Sequence, residues 1–425
     1  MERFRKLSVN LVAALDEELQ RRGYGSYARM ERALGQSPKW WYYHRETSSL
    51  HLDEFFAILD HLGLDPGEFV LQQLRSDHNL DFGLDRPRGE PPALVTRAWE
   101  RFRGEATGRR LDDAFFADLN EKGYRAPRST LELLPPLVDL AAPADLPGLL
   151  EVAGAAHWAL IELDAADHCF QTALEFAHVL GEHRKVGNLL RRYSYVINDH
   201  GDSARAHRLV RAAAAILLRE NDDLGLAKAC VEMGQWLGYE GRKAEAMQAF
   251  QTALRRLPET EGRYRFAALQ SLGVDLKNLG QLEEALEYVE RARAYLPHVS
   301  KRHKGKLVWL EAGIQEELGE FEAAGEQLMT VVEIFRTEHP GEAAIATCDL
   351  VRLQFLLGRG DDAYETALTS RGLVEPLAGN KVISAAIAEL LRAERAGLTL
   401  ALVARVQQAM EAARRDRAAW RRLAA

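Results

Sequence analysis

The chain has 425 residues, of which 47% are apolar and 28% charged, and its formal net charge is -8; this is a foldable chain, without a nucleic-acid surface running its whole length. No apolar run approaches the roughly 18 residues of a membrane helix, and acidic residues follow the first Met too soon for a secretory signal, so the expected compartment is cytoplasmic. Cys169, Cys230 and Cys348 stand far apart with no CxxC or Cys/His ligand spacing, which argues against a disulfide framework and a structural zinc site.

From the N-terminus, "NLVAALDEELQRRG" predicts an amphipathic helix ending at Gly23, and "SYARMERALG" a second, capped by Ser26 and stopped at Gly35. "SPKWWYYHRE" predicts a third, with Ser37 as N-cap and Pro38 in the first turn. At about 100° per residue, Trp40, Trp41, Tyr42 and Tyr43 spread right round that helix, so some of the four rings must face outward. "SLHLDEFFAILDHLGLDPGEF" adds a fourth helix and an exit turn at Asp65, Pro66 and Gly67. Residues 1–45 carry nine Lys/Arg against five Asp/Glu, a balance suited to phosphate and equally to a solvated face. Residues 1–74 therefore read as a four- to five-helix domain of helix-turn-helix type.

Residues 75–146 contain "LDRPRGEPPAL" and "LLPPLVDLAAPADLPG", whose prolines are expected to break any long helix. "ALVTRAWERFRG" and "LDDAFFADLNEKG" still predict short helices, which makes this a structured connector.

Beyond residue 147 the chain repeats itself. Gly234, Gly241, Ala246, Phe250, Ala253 and Pro258 return at the same intervals as Gly273, Gly280, Ala285, Val289, Ala292 and Pro297, and the turn glycine recurs at Gly319, Gly358 and Gly397. Ala206, Val210 and Ala213, and Ala166, Phe170 and Ala173, mark two earlier copies, so about seven units fill residues 147–425. Small residues at Gly234 and Ala246 let two helices approach, Phe250 fills the space between them, and Gly241 permits the turn. Each unit is then a helical hairpin that buries its apolar face only by stacking on the next.

These residues resemble the tetratricopeptide repeat, although the period is longer than that family's usual one and nearer that of HEAT arrays. The implied fold class is all-α, the N-terminal domain being followed by a right-handed tetratricopeptide-repeat solenoid. Residues 8–70 look like the Cro/repressor-type (XRE) helix-turn-helix family, whose third helix enters the DNA major groove. Matching the turn at Gly35 implies that Trp41 and His44 point inward, that Pro38, Lys39, Tyr42 and Tyr43 face the groove, and that Trp40 lies near the phosphates. Departures from the pattern are Tyr27 at the start of the second helix, Glu31 at a small buried position and His44 at an aliphatic one. A buried Glu31 would need a partner or a shifted helix.

No glycine-rich phosphate loop, HExxH motif or nucleophile elbow is present, so neither an enzyme, a cofactor nor a metal is expected. The expected second site is the concave wall made by the first helix of each hairpin, for an extended peptide or protein ligand. Helical phase places Asn188, Arg191, Tyr195 and Asn198 there, then Lys228, Gln235 and Tyr239, then Gln270, Lys277 and Asn278, then Lys306, Trp309, Glu316 and Glu317, with Arg352 further on. The joined parts resemble the peptide-sensing RRNPP-type bacterial transcription regulators, which implies a homodimer that binds double-stranded operator DNA. An unpartnered face of Leu402, Val406 and Ala409 in the last unit agrees with dimerisation. The alternative is a scaffold or adaptor whose helix-turn-helix-like domain contacts proteins.

Overall fold

The computed structural model describes residues 9–23, 27–37, 39–41, 50, 52–66, 69–70, 72–73, 87–103, 108, 110–337, 339–369, 372 and 397–414. Among these residues the protein is all-α, with 19 α-helices and no strand. None of the helices is long and apolar enough to cross a membrane.

α1 (Val9–Arg21) buries Leu11, Leu15 and Leu19, one per turn, and the chain leaves it through Gly23 at φ +81°. α2 (Ala28–Ala33) buries Met30 and Glu31 and ends at Gly35, φ +66°. α3 (Leu52–Leu62) contributes Phe55, Phe56, Ile58 and Leu59 to the core. The expected third helix survives only in part among the described residues. Trp40 and Trp41 are helical, but Lys39 turns in the left-handed region at φ +71°, so the helical turn opens later than a Pro38 start implies. Ser26, Pro38, Tyr42, Tyr43, His44 and Arg45 lie outside the described residues.

In the connector, α4 (Ala93–Arg103) and α5 (Asp113–Arg125) form where short helices were expected, the second capped by Asp112 accepting from the Phe115 N–H at 2.7 Å. α6 (Pro127–Leu140) corrects the proline reading, because Pro135 and Pro136 lie inside it. Each proline removes one helical bond, but the flanking Glu132 and Pro136 face solvent, while Leu134 and Val138, one turn apart, are fully buried and hold the helix down. An Arg97–Asp139 ion pair to α4 adds to this.

Six hairpins follow: α7 (Leu146–Ala159) with α8 (Leu163–Val179), α9 (His183–Asp199) with α10 (Ser203–Arg219), α11 (Asp223–Tyr239) with α12 (Lys243–Arg256), α13 (Gly262–Asn278) with α14 (Leu282–Arg293), α15 (Lys301–Glu317) with α16 (Phe321–Phe335), and α17 (Pro340–Leu356) with α18 (Gly360–Thr369). α19 (Leu400–Arg414) is what the described residues keep of the seventh expected unit. The glycine turns close in one way throughout: the Gly280 N–H reaches Lys277 O at 2.9 Å and the Gln281 N–H reaches Leu276 O at 3.0 Å, the pair of bonds that ends a helix on a left-handed residue. Ile161 and Asn221 take the same backbone region without being glycine, which is why those two turns carry no sequence mark.

A 16-residue offset packs each hairpin. A Cβ on Gly154 would fall 2.7 Å from the Phe170 ring, and one on Gly234 2.6 Å from the Phe250 ring. Ala312 shares a cluster with Leu328, and Ala367 packs against the cluster that holds Val351, so the bulk moves to the first helix where the second supplies only a methyl. The chain divides into two compact units, Met1–Ala229 and Cys230–Ala425. Within the first, Phe56 of α3 meets Trp99 and Phe102 of α4 edge-on at 5.7 and 6.0 Å, and Phe102 stacks on Phe176 of α8 at 3.8 Å. The N-terminal helices are thereby wedged onto the first hairpin through aromatic contacts. Within the second, Leu402, Val403, Val406 and Met410 of α19 are buried against Ala344, Ile345 and Cys348 of α17. This corrects the expected unpartnered face, since the same chain covers Leu402 and Val406.

Candidate functional site

At the N-terminal region, Trp41 is fully buried with its ring 6.3 Å from Tyr27, and its indole N–H donates to Asp16 Oδ1 at 2.9 Å. The Tyr27 hydroxyl donates to the same oxygen at 2.8 Å, so Asp16 ties α1 to both aromatic neighbours. Glu31 finds the partner its burial demands: its two oxygens accept the backbone N–H groups of Lys39, at 3.2 Å, and Trp41, at 3.0 Å. The carboxylate therefore serves the opening turn in the way an N-cap does, and the Lys39 side chain is left exposed. Trp40, expected beside the phosphates, is half-buried, its indole N–H reaching Glu54 Oε1 of α3 at 3.2 Å.

In the first two hairpins the expected wall residues are largely engaged. Asn188 donates to Arg184 O and Asp222 Oδ2, at 3.1 and 3.2 Å, and Tyr195 packs on Trp158 at 5.9 Å. Arg191 and Asn198 are 6% and 5% exposed, with Asn198 Oδ1 accepting from Ser203 Oγ, so neither is open to a ligand as it stands. The side chain that crosses the wall is the next residue, Arg192. It binds Glu151 of α7, Asn120 Oδ1 at 3.0 Å and the Tyr124 hydroxyl at 2.9 Å. Burial opposes ionisation of Glu151, but Lys185 and Arg192 outweigh it and hold the carboxyl down at about 2. Asn120 and Tyr124 belong to α5, so the connector covers this stretch of wall.

In the second unit, three expected wall residues bridge successive first helices instead of standing open. Lys277 pairs with Glu317, Arg352 grips Glu316 with both guanidinium branches at 2.5 and 2.6 Å, and the Trp309 indole donates to Asp349 at 2.8 Å. Trp309 also packs on Phe335 at 6.0 Å. The repeat period explains the bridges: Lys277 to Glu317 and Trp309 to Asp349 are each a 40-residue step, one hairpin along. What remains accessible is a row at the C-terminal ends of α11 and α13. Tyr239 is 63% exposed and Asn278 is exposed, with Gln235 and Gln270 half-buried a turn or two earlier and the apolar Val274 exposed between them.

Asp164, Asp167 and His200 bring ligand atoms within 4.8 Å of one another, a grouping the sequence reading passed over. His200 Nε2 is already held by Asp167 Oδ2 at 2.9 Å, and that bond raises the imidazole above its ordinary pKa, which describes an ion pair. The three cysteines are buried, and burial pushes the thiols of Cys169 and Cys348 up to about 12, unsuited to nucleophilic work.

No protein-family model and no curated protein matches the chain. Among solved structures 43 chains match it. One of them, from the crystal structure of the APC/C hetero-tetramer Cut9–Hcn1, is similar with a TM-score of 0.53 at 12% identity, over 89% of this chain and 65% of that one. The chain thus spans under two thirds of its neighbour's length. At such low identity the likeness speaks for the fold alone, an array of paired helices of the tetratricopeptide kind.

Proposed function

We propose that the protein is a binding protein whose repeat array takes an extended peptide or protein segment. The observation that carries this is the row of Tyr239, Gln235, Gln270, Val274 and Asn278, where amides able to donate and accept at once alternate with an aromatic ring and an apolar side chain. Around it, neighbouring polar groups are held in bridges between hairpins, so the row sits on a preorganised wall. Calorimetry with peptides that co-purify from the native host tests the reading. Tyr239→Ala/Asn278→Ala should weaken binding at least about tenfold, and equal affinity in both proteins removes the row from the site.

DNA binding by the N-terminal region is the finer part of the proposal, and with it the regulator. Support comes from Lys39, exposed at the head of a turn whose backbone is secured by Glu31, in a region anchored to the array through Phe56, Phe102 and Phe176. A homodimer reading two half-sites belongs to the same reading. In a gel shift, affinity should fall steeply with salt and Lys39→Ala should lower it further. Salt-insensitive or absent binding leaves the adaptor, with the N-terminal helices contacting protein.

A further inference from the structure

Residues 300–306 read Ser-Lys-Arg-His-Lys-Gly-Lys, and they open α15. The first turn of this helix has no acidic residue, whereas Lys301, Arg302 and Lys304 crowd the positive end of its backbone dipole. Stacking adds more charge of the same sign. The His303 ring lies against Phe266 of α13 at 6.1 Å; burial first, then Lys306, Arg263 of α13, Arg302 and His339 push it down to about 4. One carboxylate answering this cluster is the buried Glu342 of α17, which pairs with Arg302, and a second, the half-buried Glu261, stands at the N-cap of α13 two residues before Arg263. Arg302 still keeps a buried Nε with no acceptor. The exposed carboxylates nearby are engaged by other arginines, Glu259 by Arg265, Glu290 by Arg293 and Glu333 by Arg336. Arg263, Lys301 and Lys304 are exposed, and none has an ion pair among the described residues.

The geometry points to a docking surface for an acidic polypeptide segment, formed by Arg263, Lys301, Arg302 and Lys304 at the N-terminal ends of α13 and α15. Like charges gathered at helix N-termini repel one another, and carboxylates placed among them would relieve that repulsion while accepting from the exposed Arg263, Lys301 and Lys304 side chains and from backbone N–H groups of the helix ends. Size favours a peptide over a duplex. The two helix ends are neighbours, on the order of 10 Å apart, a span covered by three or four residues of extended chain. A duplex presents its phosphates along a far longer track than four cations at two neighbouring helix ends can meet. The surface is distinct from the Tyr239–Asn278 row, since Arg263 and Asn278 stand at opposite ends of α13, about 22 Å apart at 1.5 Å per residue. Failure of either proposal leaves the other standing.

Fluorescence anisotropy of the full chain with a labelled oligoglutamate provides the test, at about 50 mM and about 200 mM salt. Binding should be present at low salt and should weaken at least about tenfold in Lys301→Glu/Lys304→Glu. Arg128→Glu/Arg211→Glu, which makes the same change of net charge at exposed positions of the other unit, should change it less than about twofold. If the α15 pair fails to fold, Arg263→Glu on the neighbouring hairpin reads the same surface. Equal losses in both double variants, no binding at low salt, or tighter binding of a duplex oligonucleotide through the same cations would each overturn the proposal.

Discussion

The N-terminal helices and the repeat array are both all-helical, yet they are held together on different terms. In the first, single side chains do jobs that nothing else duplicates: Asp16 takes both the Trp41 indole and the Tyr27 hydroxyl, and Glu31 caps the turn at Lys39 and Trp41. In the second, one packing rule recurs at a 16-residue offset, and its two sides trade bulk, from Gly234 against Phe250 to Val351 and Ala367 in one cluster. The difference teaches where tolerance lies. A rule repeated with exchanged partners can absorb a compensated change, and a one-off contact cannot.

The largest expected effect is therefore Trp41→Ala. Emptying this fully buried position should cost about 3–5 kcal/mol, a large share of the marginal stability of a folded unit, and it also removes the indole N–H that Asp16 Oδ1 accepts. Differential scanning calorimetry should show loss of one transition with the array's transition retained. An unchanged thermogram would erase the contrast between the regions. Next is Gly234→Leu, whose side chain would be driven into the Phe250 ring, for an expected loss of about 1–3 kcal/mol in chemical denaturation. Adding Phe250→Ala should restore part of that loss, because it recreates the Val351–Ala367 arrangement. If the double variant is worse than the sum of the singles, bulk is not exchangeable across the hairpin.

The smallest effect sharpens the comparison within the array. Asp349 accepts from the Trp309 and Gln407 side chains, and burial raises its carboxyl from the ordinary 3.8 to about 6. The folded chain thus holds this proton more tightly than the unfolded one. The resulting stability is fully present below the unfolded value and is lost as pH rises through about 6. Asp349→Asn should melt higher than the wild type at about pH 7, and the gap should close by about pH 4. A constant gap across that range would place the carboxyl in an ordinary environment.

Particular residues show how much of this was legible. The turn at Gly280 and the hairpins from Gly234 onward could be read from spacing, because each depends on neighbours within one hairpin or one turn of chain, whereas the buried Trp41 was implied by the resemblance to the helix-turn-helix pattern. α6 was not, since Pro135 and Pro136 are local signals against a helix that Leu134 and Val138 secure through distant contacts. Along α9 the expected Arg191 is buried, while its neighbour Arg192 reaches Glu151, Asn120 and Tyr124. One residue is about 100° of helix, the difference between a buried side chain and one that spans the wall.

By itself, then, the sequence determined the pairing of helices, because a left-handed turn residue and a small residue facing a large one act across a few ångströms within a single hairpin. Tertiary structure alone decided which polar side chains remain available. Lys277, Trp309 and Arg352 each meet a partner one hairpin along the array, Glu317, Asp349 and Glu316. Whether such a pair closes depends on the rotation between stacked hairpins, and that rotation is set by summed core packing rather than by any residue pattern along the chain.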